Sequence, residues 1–225
     1  PLYSSAASDV YKRQIYYDEP AMGVVMSRLE STWMLVIMAM FFSILIGVPL
    51  GITAAVHRNG LLDKMCMVLS MIGISMPGFW LAVGYAYISE GGLLKSMRYL
   101  LLPAIALGLQ RSASLARVTR SSMLDVLNSD YIRTARSKGL RERAVVYVHA
   151  LKNAMNQIIT QLGISIAHLL GGAIVMENVF NIPGLGRLAF DSIVRRDYPV
   201  IQAHILYVAF IYVIVNLVVD PVSYT

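Results

Sequence analysis

Charge is scarce in this chain. Only 14% of its 225 residues are Asp, Glu, Lys or Arg, where soluble domains carry about 25%. Cysteine is nearly absent: Cys66 stands alone in an apolar run, which excludes a disulfide framework and a cysteine-built metal site. It reads as a small apolar residue. The four histidines, His57, His149, His168 and His204, are scattered, and neither H-E-x-x-H nor G-x-S-x-G occurs. A membrane enzyme is left without a reactive constellation. No G-x-x-x-x-G-K-S/T phosphate loop is present, so the chain holds no ATP or Mg cofactor site of that kind, and any ATP hydrolysis belongs to another subunit.

What is abundant is apolar sequence: 57% of residues are hydrophobic and the mean hydropathy is +0.62. These values describe an all-α integral membrane protein of one domain, a polytopic helix bundle in contact with the lipid bilayer. A helix needs about 20 mostly apolar residues to cross the hydrocarbon. Residues 33–56, 65–88, 155–176 and 200–219 satisfy that, and 99–118 counts as a fifth span despite Gln110, Arg111 and Ser112. The net charge of +6 does not point to nucleic acid, because basic residues between apolar spans report orientation. Between Arg117 and Lys152 lie eight basic residues and three acids, Asp125, Asp130 and Glu142, so this loop is cytoplasmic. Counting outward, 57–64 is cytoplasmic too, while 89–98 and 177–199 face outside, the latter against the rule in carrying Arg187, Arg195 and Arg196.

Small residues recur at four-residue spacing: Ser43, Gly47, Gly51 and Ala55; Ala104, Gly108, Ser112 and Ala116; Gly163, Ala167 and Gly171. Such stripes let backbones approach closely and indicate helices packed as a bundle. Pro77, in Met76-Pro77-Gly78, interrupts the second span with a kink that is either structural or gating. Gln161 and His168 lie seven apart on one helix face, as pathway-lining groups or as buried hydrogen-bonded ones. Pro183-Gly184-Leu185-Gly186 reads as a tight exposed turn, a connector or an extracytoplasmic contact.

The cytoplasmic loop carries the one long polar stretch with a structured pattern. Asp130 is placed to cap a helix. Tyr131, Ile132, Arg133, Thr134, Ala135, Arg136 and Lys138 make about two turns, and Gly139 suits a left-handed closing position followed by apolar Leu140. A second helix begins near Arg141 and runs into the fourth span. Ile132 and Ala135 share a face that water would waste. The segment is either a headgroup anchor or a docking element.

This stretch resembles the EAA loop of bacterial ABC-importer permeases: Glu-Ala-Ala, three residues, Gly, nine residues, Ile-x-Leu-Pro. Arg133-Thr134-Ala135 occupies the Glu-Ala-Ala place, Gly139 the glycine, and His149 and Leu151 the later positions. Ala135, Gly139 and Leu151 keep the general pattern. Tyr131 to Leu140, His149 to Ala154, Leu169-Leu-Gly-Gly-Ala173, Glu177-Asn-Val-Phe180, Pro183-Gly-Leu-Gly-Arg187 and Arg196-Asp-Tyr-Pro-Val200 are similar to the dipeptide/oligopeptide/nickel branch, as are Arg120-Ser-Ser-Met-Leu124 and Gly73-Ile-Ser-Met-Pro77. The likeness covers roughly 32–220.

The resemblance implies a multi-pass subunit of the bacterial cytoplasmic (inner) membrane. It implies two cytoplasmic ABC ATPases that bind ATP and Mg, a second homologous permease, and an extracytoplasmic solute-binding protein. The helix at 131–138 is then expected in an ATPase cleft, with Ile132 and Ala135 packed there and Arg133, Arg136 and Lys138 paired with acids. Pro183, Gly184 and Gly186 are expected near the binding protein. Six spans are expected where five are read, which suggests a fragment; residues 1–14 and 221–225 look like non-native tails around a permease domain at 15–220. An ion-coupled secondary transporter, the main rival, usually shows ionisable groups deep in its spans. Here Arg111 is the one candidate and has no evident acidic mate. A non-transport membrane scaffold is the third reading.

Overall fold

A computed structural model describes residues 20–75 and 95–223. Among these the elements are α1 (Ala21–Ser27), α2 (Leu29–Val56), α3 (Leu61–Ser75), α4 (Lys95–Leu127), α5 (Asp130–Ser137), α6 (Glu142–Ala144), a π-helical turn (Val145–Ala150), α7 (Leu151–Val179), α8 (Leu185–Arg195) and α9 (Tyr198–Ser223). No strand occurs among the described residues. Residues 1–14, Pro77 and the second half of the second span lie outside them, whereas 221–223 continue α9.

The small-residue stripes are the seam on which the bundle is built. A Cβ on Gly51 would stand 2.5 Å from Thr119 Cβ and 2.6 Å from the Ala116 carbonyl, and one on Gly108 would stand 2.8 Å from the Ala39 carbonyl. Gly47 meets the Ser112 carbonyl at 2.8 Å in the same way. Residue numbers rise together along both helices at these contacts, so α2 and α4 run parallel, as helices that both descend from the outer face must. Their backbones approach as closely as small residues allow, which is the membrane substitute for a hydrophobic drive. α7 returns antiparallel, joined to α4 by Ser122–Gln157 and Ser114–Gln161 hydrogen bonds.

Three apolar clusters follow. One, of Leu35, Ala39, Leu107, Leu169 and Met176 among others, fills the outer half between α2, α4 and α7. A second closes the opposite end, drawing Ile52, Met123, Ile132, Val145 and Ile158 from α2, α4, α5, the π turn and α7. The third seats α1 against α8 and α9 through Val25, Leu188 and Val200. The loops at 57–64 and 128–141 therefore lie at one end and 180–197 at the other, as the charge pattern requires. Large apolar residues of α2, α3 and α9, including Phe41, Leu69 and Phe210, stay exposed in the chain. A soluble monomer does not tolerate that area; lipid or a partner covers it.

By length and apolarity two described helices can cross a membrane, at Leu29–Val56 and Tyr198–Leu217, and a third if the bent pair Glu142–Leu170 and Ala173–Val179 is one span. The five spans read from sequence are thus not all recovered on those criteria. α4 is a single helix of 33 residues whose polar face lowers its mean hydropathy, and of the second span, 65–88, only residues 65–75 are described.

Candidate functional site

The cytoplasmic helix α5 forms as its residues dictate, with corrections. Its N-cap is Ser129, in extended backbone, rather than Asp130. The Ser129 hydroxyl is turned back to the Val126 carbonyl at 2.5 Å, so Asp130 becomes the first helical residue and favours the positive end of the helix dipole. Closure is a Schellman motif. Gly139 has φ +74°, its N–H donates to the Arg136 carbonyl at 2.9 Å, and the Leu140 N–H reaches the Ala135 carbonyl at 3.4 Å. This is the left-handed glycine that the sequence calls for.

The apolar face of α5 points the other way from the expectation. Ile132 is 0% exposed and Ala135 is buried, both packed within the chain's own cytoplasmic cluster. They cannot also fill a cleft on another subunit. Arg136 is likewise engaged at home, donating to Glu142 at 2.7 Å and 3.2 Å across the Gly139 corner. Arg133 faces Asp130 at a looser 3.6 Å. The outward face is therefore Tyr131, Arg133, Thr134, Lys138 and Leu140, with the Tyr131 hydroxyl accepting from Asn153 Nδ2 at 2.8 Å. His149 sits in the π turn and Leu151 opens α7, both half-buried beside α5. A π turn costs hydrogen-bond regularity and often marks functional positions.

Asp63 and Arg120 form a contact that sequence reading missed. They are 57 positions apart, yet Arg120 donates Nε and Nη2 to the two Asp63 oxygens at 2.6 Å and 2.7 Å, tying the start of α3 to the lower part of α4. The Asn59 N–H adds a bond at 3.0 Å, and Asn59 itself stands at φ 62°. The Arg120 hydrogen bond holds the Asp63 carboxyl below its ordinary range, against burial, which pulls it up. A carboxylate with a depressed folded pKa contributes stability that is present above the unfolded value, about 4, and lost as pH falls through the folded one. We expect the thermal midpoint of the wild-type transporter to drop more steeply below about pH 4 than that of Asp63→Asn, measured side by side in nanodiscs.

At the outer end a second unread contact organises three elements. Glu177, 0% exposed, ends the long helix α7, and its Oε2 accepts from the Gly186 and Arg187 N–H groups at 2.7 Å and 3.1 Å. These are orphan donors of the first turn of α8, so Glu177 caps a helix nine residues further on. Thr32 of α2 completes the latch: its hydroxyl donates to Glu177 Oε1 at 2.5 Å and accepts from the Leu185 N–H at 2.8 Å. The segment around Pro183 is consequently no plain exposed turn. Pro183 is exposed, but Gly184 and Gly186 are buried, since added Cβ atoms would run into the Glu177 carboxyl and the Ile174 backbone. They serve packing and cannot present a surface to a binding protein. The amphipathic helix α8, read from sequence as a loop, starts at this point, with Leu185, Leu188, Ala189 and Ser192 facing inward.

In the membrane interior, Gln161 is half-buried and donates to Ser114 of α4 at 3.4 Å, while His168, two turns outward, is exposed. Arg111 is half-buried, and its Nε is enclosed without a hydrogen-bond partner.

A helix bundle knit by small-residue seams, with apolar walls, a basic helix at one end and a latched amphipathic helix at the other, is a polytopic membrane protein. Residues 47–223 match the family described as binding-protein-dependent transport system inner membrane component, and the chain belongs to that family. It is 42% identical over 238 residues to the dipeptide transport system permease protein DppB of Alkalihalophilus pseudofirmus, covering 90% of this chain and 72% of the relative. The glutathione transport system permease protein GsiC of Escherichia coli is 44% identical over 236 residues, covering 98% and 76%. Among solved structures, the inward-facing MetNI methionine ABC transporter aligns with TM-score 0.75 at 19% identity, covering 90% of this chain and 96% of that one, a likeness of fold. The chain is an inner-membrane permease subunit of an ABC importer, and its relatives are transport subunits. The secondary-transporter and scaffold readings fall away.

Proposed function

We propose that this permease carries di- or oligopeptides, glutathione among them, and that the outward face of α5 is where ATP-driven motion enters it. In this reading two ATPase subunits hold ATP and Mg, a second permease completes the pathway, and a solute-binding protein delivers cargo outside. Relatives named for dipeptide and glutathione transport support the cargo class. The observation that carries the coupling role is the burial of Ile132 in one cluster with residues of α2, α4 and α7. A helix whose apolar face is buried in that cluster, against the π turn that leads into α7, cannot move without disturbing it. ATP binding need only favour one of two bundle packings, and α5 transmits that preference.

Contact with the ATPase then falls to Tyr131, Arg133, Thr134, Lys138 and Leu140, with His149 and Leu151 supporting α5 from behind. Gln161 and His168 line the pathway. The test is co-purification of the intact transporter with its ATPase. Arg133→Glu combined with Lys138→Glu should leave the permease folded and monodisperse while cutting ATPase retention at least tenfold. Full retention by the double variant would remove this face from the interface.

A further inference from the structure

We propose that Arg111 is a carboxylate-recognising subsite of the translocation pathway, engaging the free C-terminal carboxylate of a peptide as it passes; this rests on the peptide-importer reading above. Arg111 lies near the middle of α4, 16 positions into a helix of 33 residues. It is about 9 Å deeper along the axis than Arg117, the first of the cytoplasmic basic group. Uncompensated charge at such depth is costly and is retained where it faces a polar cavity or a counter-charge. Among the described residues Arg111 makes no ion pair, and its Nε is enclosed without an acceptor. Of the buried acids, Asp63 is committed to Arg120 and Glu177 to Thr32 and the first turn of α8, while Asp197 lies at the outer end, just before α9. No described residue supplies the missing acceptor.

The surroundings say what kind of acceptor fits. Ser114, three residues on from Arg111 and on the same helical side, takes the hydrogen bond from Gln161 of α7. Because α4 and α7 are antiparallel, Arg111 comes level with α7 between Gln161 and His168. A guanidinium, an amide and an imidazole stand at successive heights along α4 and α7, with Gln161 half-buried and His168 exposed. Arginine's planar fork matches a carboxylate with two parallel hydrogen bonds, while Gln161 and His168 suit the peptide amide. Hydration of the guanidinium in the open states keeps the bond moderate, as a site that cargo must leave requires. A lipid phosphate is disfavoured by depth. An acid of the second permease is the remaining rival.

The test uses the intact transporter in proteoliposomes with its binding protein. A dipeptide and its C-terminal amide are each titrated onto the binding protein, so that equal amounts of loaded complex are supplied. ATP-driven uptake is compared for wild type, Arg111→Lys and Arg111→Gln, with assembly followed by co-purification. Arg111→Gln should lower uptake of the free dipeptide about tenfold and leave uptake of the amide within twofold of wild type, while Arg111→Lys retains an intermediate rate. Equal losses for both cargoes, no loss for either, or failure of Arg111→Gln to assemble would overturn the subsite. Wild type moving neither peptide would instead overturn the cargo reading on which the proposal stands.

Discussion

Alanine at Gly184 or at Glu177 is expected to release the outer latch and lower the thermal midpoint of the transporter by about 6–12 °C, for a loss of about 3 kcal/mol. In Glu177→Ala, the Thr32 hydroxyl loses its acceptor and the Gly186 and Arg187 N–H groups lose theirs, the first two buried and the last half-buried. Each orphaned group costs about 1–3 kcal/mol, of which relaxation and water recover part. Gly184→Ala reaches the same end by sterics, since its Cβ occupies the space of the Glu177 carboxyl. Glu177→Gln is the control: one amide oxygen still accepts from both N–H groups, so the loss should stay near 1 kcal/mol. Thermal unfolding in nanodiscs checks the series. Equal stability of Glu177→Ala and wild type would mean that α8 is held by its apolar contacts alone.

Ile132→Asp should have the other large effect, and it separates two accounts of α5. With Ile132 fully buried in the cytoplasmic cluster that also holds Val145, Val146 and Ala150, a carboxylate there faces no partner, and burial without one costs several kcal/mol. The permease should lose monodispersity on size exclusion and with it the ATPase. Were Ile132 instead inserted into an ATPase cleft, the substitution would leave a monodisperse permease that merely fails to retain its partner. Arg133→Glu supplies the contrast, because its side chain is exposed and only loosely paired with Asp130.

These two sites show where sequence reading reached and where it stopped. Gly139 was legible because a closing glycine followed by an apolar residue is a local pattern, and the Schellman geometry bears it out. The stripes through Gly47, Gly51 and Gly108 were legible because close helix packing demands small residues at helical spacing. The direction of the α5 face was not: periodicity says that Ile132 and Ala135 lie together, and nothing local says what covers them. α8 was hidden because Gly184 and Gly186 read as a turn, while the cap that makes a helix start there comes from Glu177 and Thr32, the latter 153 positions from Leu185. The Asp63–Arg120 clamp was missed for the same reason. Ser129 in place of Asp130 is a one-residue slip between two residue types equally suited to capping.

Coupling through the outward face of α5 is tested most directly by a photo-crosslinker on single cysteines in the assembled transporter. The native Cys66 is buried, so labelling at Lys138→Cys and, separately, at Asn128→Cys on the turn before α5 reports position with little background. Lys138→Cys should give an ATPase adduct whose yield changes when ATP is added, as the proposed coupling requires, and Asn128→Cys should give a weaker one. No adduct from Lys138→Cys in a complex that still hydrolyses ATP and moves peptide would contradict the account.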